Sequence, residues 1–135
     1  MSRRVTGPAA AAAGPVLAGI LAVRSAEDVL RCAFAEAERR DVALRVLAAG
    51  LSPTAGEDVH VRDLVDRWAE KYPAVPVTFS RRHNIDAAVT LVGASRCCGL
   101  VVVAEPVDGH DTAVVQALAR RAGCPMMVCG ASRRG

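Results

Sequence analysis

Apolar positions along this chain alternate between short runs and longer stretches with an apolar residue at every third or fourth place. The runs are Val16–Val23, Val42–Ala49 (broken by Arg45), Val77–Phe79 (broken by Thr78), Leu100–Ala104 and Met126–Cys129. The clearest is Leu100-Val101-Val102-Val103-Ala104, set between Gly99 and the Glu105-Pro106 pair. A strand with one wet face would alternate. A continuous β-branched run predicts a strand covered on both faces, as in a parallel sheet flanked by helices.

The stretches between the runs have helical spacing. Ala26, Val29, Leu30, Ala33, Phe34 and Ala37 form one stripe, with Glu27, Arg31, Glu38 and Arg39 on the other side. Ser25 and Asp28 fit a capping box for this helix, which ends near Arg40-Asp41. After a loop over Gly50–Asp58, a second helix is marked by Val61, Leu64, Val65, Trp68 and Tyr72 and stopped by Pro73. Asn84 is placed to cap a third, with Ile85, Ala88, Val89 and Val92 facing inward. A fourth starts at Asp111 or Thr112, with Val114, Val115, Leu118 and Ala122 inward, and Gly123 fits the left-handed position that ends it.

The resulting order is β-α-β-α-β-α-β-α-β. Every connection is long enough for the helical crossover that parallel strands need. The expected fold is α/β: a single-domain open sandwich with a five-stranded, mostly parallel sheet and four helices. The domain covers residues 15–130, with a disordered tail over 1–14 and a short polar tail over 131–135.

Composition narrows the function classes. The chain has 135 residues and 52% hydrophobic content, with one Trp, one Tyr and two Phe. That suits one domain with an aliphatic core. The formal charge is +3, but Arg3, Arg4, Arg133 and Arg134 lie in the tails. The body then carries no basic excess, which argues against nucleic acid as a partner. Ser2-Arg3-Arg4 ahead of Ala9–Val23 has the outline of a signal segment. Pro8, Gly14 and Pro15 interrupt it, and it is too short to span a membrane. Five cysteines, an odd number in a chain of ordinary globular length, suggest reduced thiols and a cytoplasmic protein.

Four other features carry candidate chemistry. Cys97-Cys98 is a vicinal pair, but neighbours on a strand point oppositely, so packing is the expected role. Cys32, Cys124 and Cys129 are expected as buried small hydrophobes. His60, His83 and His110 lack zinc-ligand spacing, and no metal site is expected. Arg81-Arg82-His83-Asn84 is the basic cluster of the body, readable as a solvated turn or as an anion site. Ser25 and Ser95 sit in no nucleophile elbow, so no catalytic residue is assigned.

Three stretches resemble the universal stress protein family. They are Val16-Leu17-Ala18-Gly19-Ile20 with Ser25–Arg31, then Ala43-Leu44-Arg45-Val46-Leu47, then Gln116-Ala117-Leu118 through Ala122-Gly123-Cys124-Pro125-Met126-Met127-Val128. The resemblance spans nearly everything from Pro15 to Gly130. It implies the open α/β sandwich, and a homodimer paired through the last strand, Met126, Met127, Val128 and Cys129, which would be an apolar edge unless covered.

ATP-binding members resemble one another at an Asp-Gly-Ser ending the first strand, and at a G-x2-G-x9-G-[ST] loop after the fourth. Here the first set of positions holds Leu21, Ala22 and Val23. After Ala104 the loop is shorter and keeps one glycine, Gly109. Its final Gly-Ser falls on Thr112-Ala113, and Glu105, Asp108 and Asp111 add negative charge. What the resemblance then implies is a non-enzymatic stress or regulatory protein without ATP or other cofactor. Three alternatives stay open. One is a nucleotide-binding regulator with a rearranged loop. Another is a small-molecule carrier with an apolar pocket lined by Leu21 and Val23. The last is a thiol sensor at Cys97-Cys98.

Overall fold

Alternate residues of the interior strands feed two different apolar layers. The computed structural model describes residues 3–6, 14–49, 55–82, 86–106 and 108–130. Its elements are β1 (Arg3–Thr6), β2 (Val16–Ile20), α1 (Val23–Arg40), β3 (Leu44–Ala49), α2 (Ala55–Lys71), β4 (Val77–Arg82), α3 (Ala87–Ser95), β5 (Leu100–Ala104), α4 (Gly109–Arg121) and β6 (Met126–Cys129). The sheet order is β1-β6-β5-β2-β3-β4. The five strands expected from the apolar runs are mutually parallel where they pair.

Val16, Ala18, Ile20, Leu44, Val46, Leu100 and Val102 pack under α1 and α2. Leu17, Leu47, Val101, Val103, Met126 and Val128 pack under α3 and α4. Helices on both faces explain why the strands are apolar without alternation. The four aromatic side chains all lie on the α1–α2 side. Phe34 stacks on Tyr72 at 5.5 Å and Trp68 on Tyr72 at 6.3 Å, while Arg62 sits over the Phe79 ring. A fully buried Leu or Val contributes about 1.5–3 kcal/mol. An exposed ion pair contributes about 1 kcal/mol or less. The two layers therefore hold the fold.

The structure departs from the sequence-based expectation at the edges of the sheet. Within the expected N-terminal tail, Arg3–Thr6 forms a sixth strand, antiparallel to β6, with Val5 opposite Met127. β6 is therefore not a bare edge. Met126, Met127, Val128 and Cys129 are all buried within one chain. Periodicity could not show this, because four residues with two arginines carry no apolar signal. β4 is longer than Val77–Phe79, so Arg81 and Arg82 belong to the strand and not to a turn.

Helix ends differ too. α1 begins at Val23 with Ala22 as N-cap and no side-chain cap. The Ser25 hydroxyl donates instead to the Ala22 carbonyl, and Asp28 pairs with Arg31. α1 ends on Asp41, in the left-handed conformation at φ 59°. α2 starts at Ala55, inside the expected loop. α3 is capped by Asp86, whose carboxylate accepts from the Ala88 and Val89 amides, which leaves Val89 57% exposed. His83, Asn84 and Ile85 lie outside the described residues, as do residues 7–13 and 131–135. α4 starts at Gly109, two residues early, because Asp108 caps it. Ala122 ends α4, so Gly123 is not its left-handed cap. A Cβ at Gly123 would meet Arg96 Cα at 2.9 Å, and the Gly123 amide donates to the buried Ser95 hydroxyl at 2.9 Å. Glycine is required there by close approach.

The cysteines are not all thiols. Cys32 on α1 and Cys129 on β6 form a disulfide across 97 residues of sequence. Helix α1 crosses under the sheet and brings its Cys32 to the end of β6. Sequence spacing carries no trace of that meeting. Cys97, Cys98 and Cys124 are free, Cys97 exposed and the other two buried.

Candidate functional site

The carboxyl ends of β2 and β5 adjoin where the sheet order reverses, the usual ligand position in open α/β sheets. The N-termini of α1 and α4 converge there. Leu21, Ala22 and Val23 link β2 to α1, and all three are half-buried. Leu21 packs with the α3–α4 layer and Val23 with the α1–α2 layer. The two side chains thus serve opposite faces of the sheet and do not line one apolar pocket.

Across from them, Ala104 ends β5 and Asp108 precedes α4. The Asp111 amide donates to Asp108 Oδ1 at 2.8 Å, and the Thr112 hydroxyl donates to the Asp108 carbonyl at 2.8 Å. The Asp108 carboxyl is held below the usual carboxylate range, first by that amide, with Arg24 adding to it. Arg24, one residue into α1, reaches over to Asp108 Oδ2 at 3.3 Å and Asp111 Oδ2 at 3.8 Å. Asp111 is itself buried. A helix start attracts anions because its first amides lack partners. Here carboxylates of the chain already take that role, with Arg24 as their counter-ion. Sequence reasoning counted the acids and missed Arg24, because 84 residues separate it from Asp108.

Gly109, Thr112 and Ala113 lie in the first turn of α4. A Cβ at Gly109 would meet nothing within 4 Å, so no backbone there is pressed against a neighbour. Among the described residues, no three His, Cys, Asp or Glu side chains gather to hold a metal. No described helix is long and apolar enough to cross a membrane.

Cys97 and Cys98 lie in the turn between α3 and β5, not on a strand, so strand alternation is not what separates them. Cys97 is exposed. Cys98 is buried and donates to the Ala94 carbonyl at 3.4 Å. Burial pushes the Cys98 thiol above its ordinary pKa and pushes Cys124 up to about 11. Both are therefore neutral thiols at pH 7, and poor nucleophiles.

A second concave region lies on the α3 side of β3 and β4. It is a groove of about 510 Å³, with Arg45, Ser80, Arg82 and Thr90 as its polar groups and Cys97 beside them. α3 packs on β2 and β3 and stops short of β4. Thr78, Ser80 and Arg82 consequently remain exposed. Of the basic cluster, Arg82 lines this groove, while Arg81 points to the opposite face of β4 by strand alternation. Arg45 was the available signal in the sequence: a charged residue inside an otherwise apolar strand.

No protein-family profile matches the chain, and no curated protein matches its sequence. Among solved structures, the chain is similar to a universal stress protein crystallised in complex with cAMP. The two share 16% identity and a TM-score of 0.64, over 88% of this chain and 98% of the other. At that identity the likeness bears on backbone architecture, and the fold of this chain is that of a universal stress protein.

Proposed function

We propose that this chain is a universal-stress-protein-like regulatory domain that does not bind ATP at the strand ends, catalyses no reaction, and works by association with itself or a partner. One observation carries the reading: Arg24, Asp108 and Asp111 fill the start of α4, where phosphate oxygens would need free amides. A triphosphate brings several negative charges and must displace a carboxylate from its own hydrogen bond. Leu21 stands where ATP-binding relatives of this fold have a carboxylate, and it can hold neither ribose nor metal. Pro106 has no amide to donate. Losing several charge-assisted hydrogen bonds at about 1.5–3 kcal/mol each moves micromolar binding to millimolar or weaker.

Calorimetry with Mg-ATP at physiological salt is expected to give no saturable heat below about millimolar ligand. A micromolar dissociation constant, or ATP released from freshly purified protein, would overturn the reading. The similar structure with cAMP makes that nucleotide the second ligand to titrate. It carries a single phosphate charge, and Arg24 is the cation beside the strand ends. Saturable cAMP binding lost in Arg24→Gln would instead support a nucleotide-binding regulator.

For self-association, the proposed seam remains β6, the strand the family resemblance implies. A second copy reaches that strand only by displacing β1.

A further inference from the structure

Arg45 is a cation in an apolar setting. It lies on β3, an interior strand whose other residues, Leu44 and Val46 to Ala49, are all buried. Its own side chain is half-buried on the α3 side of the sheet. Among the described residues its one polar partner is Cys98 Sγ, 3.8 Å from Nη1. That thiol is neutral, since burial raises its pKa. A guanidinium with five donors thus stands half out of water with no counter-charge among the described residues. Partial burial of an unpaired charge is costly, and a cation so placed is poised to take an anion.

The groove around it has the other features of a ligand site. Its volume of about 510 Å³ falls within the usual range for small-molecule pockets. No acidic side chain is among the described residues that line it. Leu47, Val89 and Ala94 give it an apolar middle, and Val89 is one of the two large apolar side chains exposed among the described residues. Arg45 is paired in register with Thr78, and Arg82 stands four residues farther along β4 on the same face. That offset is about 13 Å along the strand at ~3.3 Å per residue. The two side chains therefore leave the sheet well apart, and Arg45 turns toward Cys98, just ahead of β5 and at the opposite end of the sheet from Arg82. The two arginines mark the two ends of an elongated anion, with Ser80, opposite Leu47, midway between them.

We propose that this groove binds an elongated organic dianion with an apolar middle, of the long-chain α,ω-dicarboxylate class, with Arg45 holding one carboxylate and Arg82 the other. Each guanidinium meets a carboxylate through paired N–H donors, and the methylene chain covers Leu47 and Val89. The site lies on the α3 face of β3 and β4, apart from the carboxyl ends of β2 and β5, so it does not depend on the ATP reading.

Dodecanedioate, which when extended spans a comparable length, is the probe. Two readouts serve: calorimetry on the full chain, and the rate at which a thiol reagent labels Cys97, the exposed thiol that borders the groove. The expected result is saturable binding at submillimolar concentration, with slower Cys97 labelling. Succinate, too short to reach both arginines, and laurate, with one carboxylate, are expected to bind about tenfold more weakly or worse. Arg45→Gln and Arg82→Gln are each expected to weaken dodecanedioate by about tenfold, while Arg81→Gln, on the other face, leaves it unchanged. Gly93→Leu tests the groove without touching its charges. A Cβ at Gly93 meets nothing within 4 Å, so the fold accepts it, and the larger side chain projects into the groove where the methylene chain would lie. It is expected to abolish binding with the melting temperature unchanged or raised. Absence of binding at millimolar dodecanedioate overturns the proposal. So does equal affinity for laurate, equal loss in Arg81→Gln, or retained binding in a folded Gly93→Leu protein.

Discussion

Arg24 Nη2 lies 3.3 Å from Asp108 Oδ2 and so joins the starts of α1 and α4 across the carboxyl ends of the sheet. The same Asp108 carboxylate caps α4 through the Asp111 amide. Cap and ion pair are separable. Asp108→Asn keeps the capping oxygen and loses the charge, whereas Asp108→Ala loses both. Asp108→Ala is expected to lower the melting temperature at pH 7 clearly, Asp108→Asn slightly and Arg24→Gln least, because Arg24 is exposed and its pair is screened. The Asp108 carboxyl is held below its ordinary pKa, so its charge stabilises the fold above the unfolded-state value and ceases to do so as pH falls through the folded one. The deficit of Asp108→Asn should shrink on acidification, as thermal melts between pH 7 and pH 3 would show.

Glu36 is a buried counterpart. It is 4% exposed, accepts from Arg39 at 2.7 Å and lies 3.4 Å from Arg40 Nε. Burial pushes its carboxyl up, but the hydrogen bonds and charges of the two arginines outweigh this and hold it below the ordinary value. The stabilisation is present at neutral pH and is lost as pH falls through the folded pKa. Glu36→Ala is expected to cost about 1–2 kcal/mol at pH 7, since the more exposed arginines rehydrate while the helix loses a charged bond. Urea titrations at pH 7 and pH 3.5 would test it. An equal cost at both pH values would show that the Glu36 charge does not stabilise the fold.

The cysteine chemistry predicts a stepwise thiol count. One thiol, Cys97, should react quickly in the native protein, and three should react after unfolding without reductant. All five should react only after reduction of the Cys32–Cys129 bond. Closing a loop of this length lowers the entropy of the unfolded chain by an amount worth about 4.7 kcal/mol. Reductant should therefore lower the melting temperature of the wild type and leave a Cys32→Ala/Cys129→Ala variant unmoved. Five reactive thiols in unreduced, unfolded protein would exclude the bond.

The N-terminal strand predicts a change of assembly. β1 pairs with β6 along the strand proposed as the dimer seam. Removing residues 1–6 exposes the β6 edge, which then pairs most readily with another β6. Size-exclusion chromatography with light scattering should show the truncated chain as a dimer at micromolar concentration. A truncated protein that stays monomeric would remove β6 as the seam.

Much of the architecture is written locally in the chain. The run Leu100–Ala104 and the stripe Ala26 to Ala37 specify a doubly covered strand and an amphipathic helix, because periodicity is a local record of which side of each element is buried. Five parallel strands and four helices follow from that record alone. The absence of the Asp-Gly-Ser and glycine-loop residues is equally local, since it is read position by position.

What only the tertiary structure decided are meetings between residues far apart in the chain. Arg24 reaches Asp108, Cys32 reaches Cys129, and Arg3–Thr6 covers β6. None leaves a periodic mark, because each depends on where separate elements end in space. The same holds for the groove. Arg45 and Arg82 share a face only through the register of β3 on β4, and that face is open only because α3 stops short of the last strand.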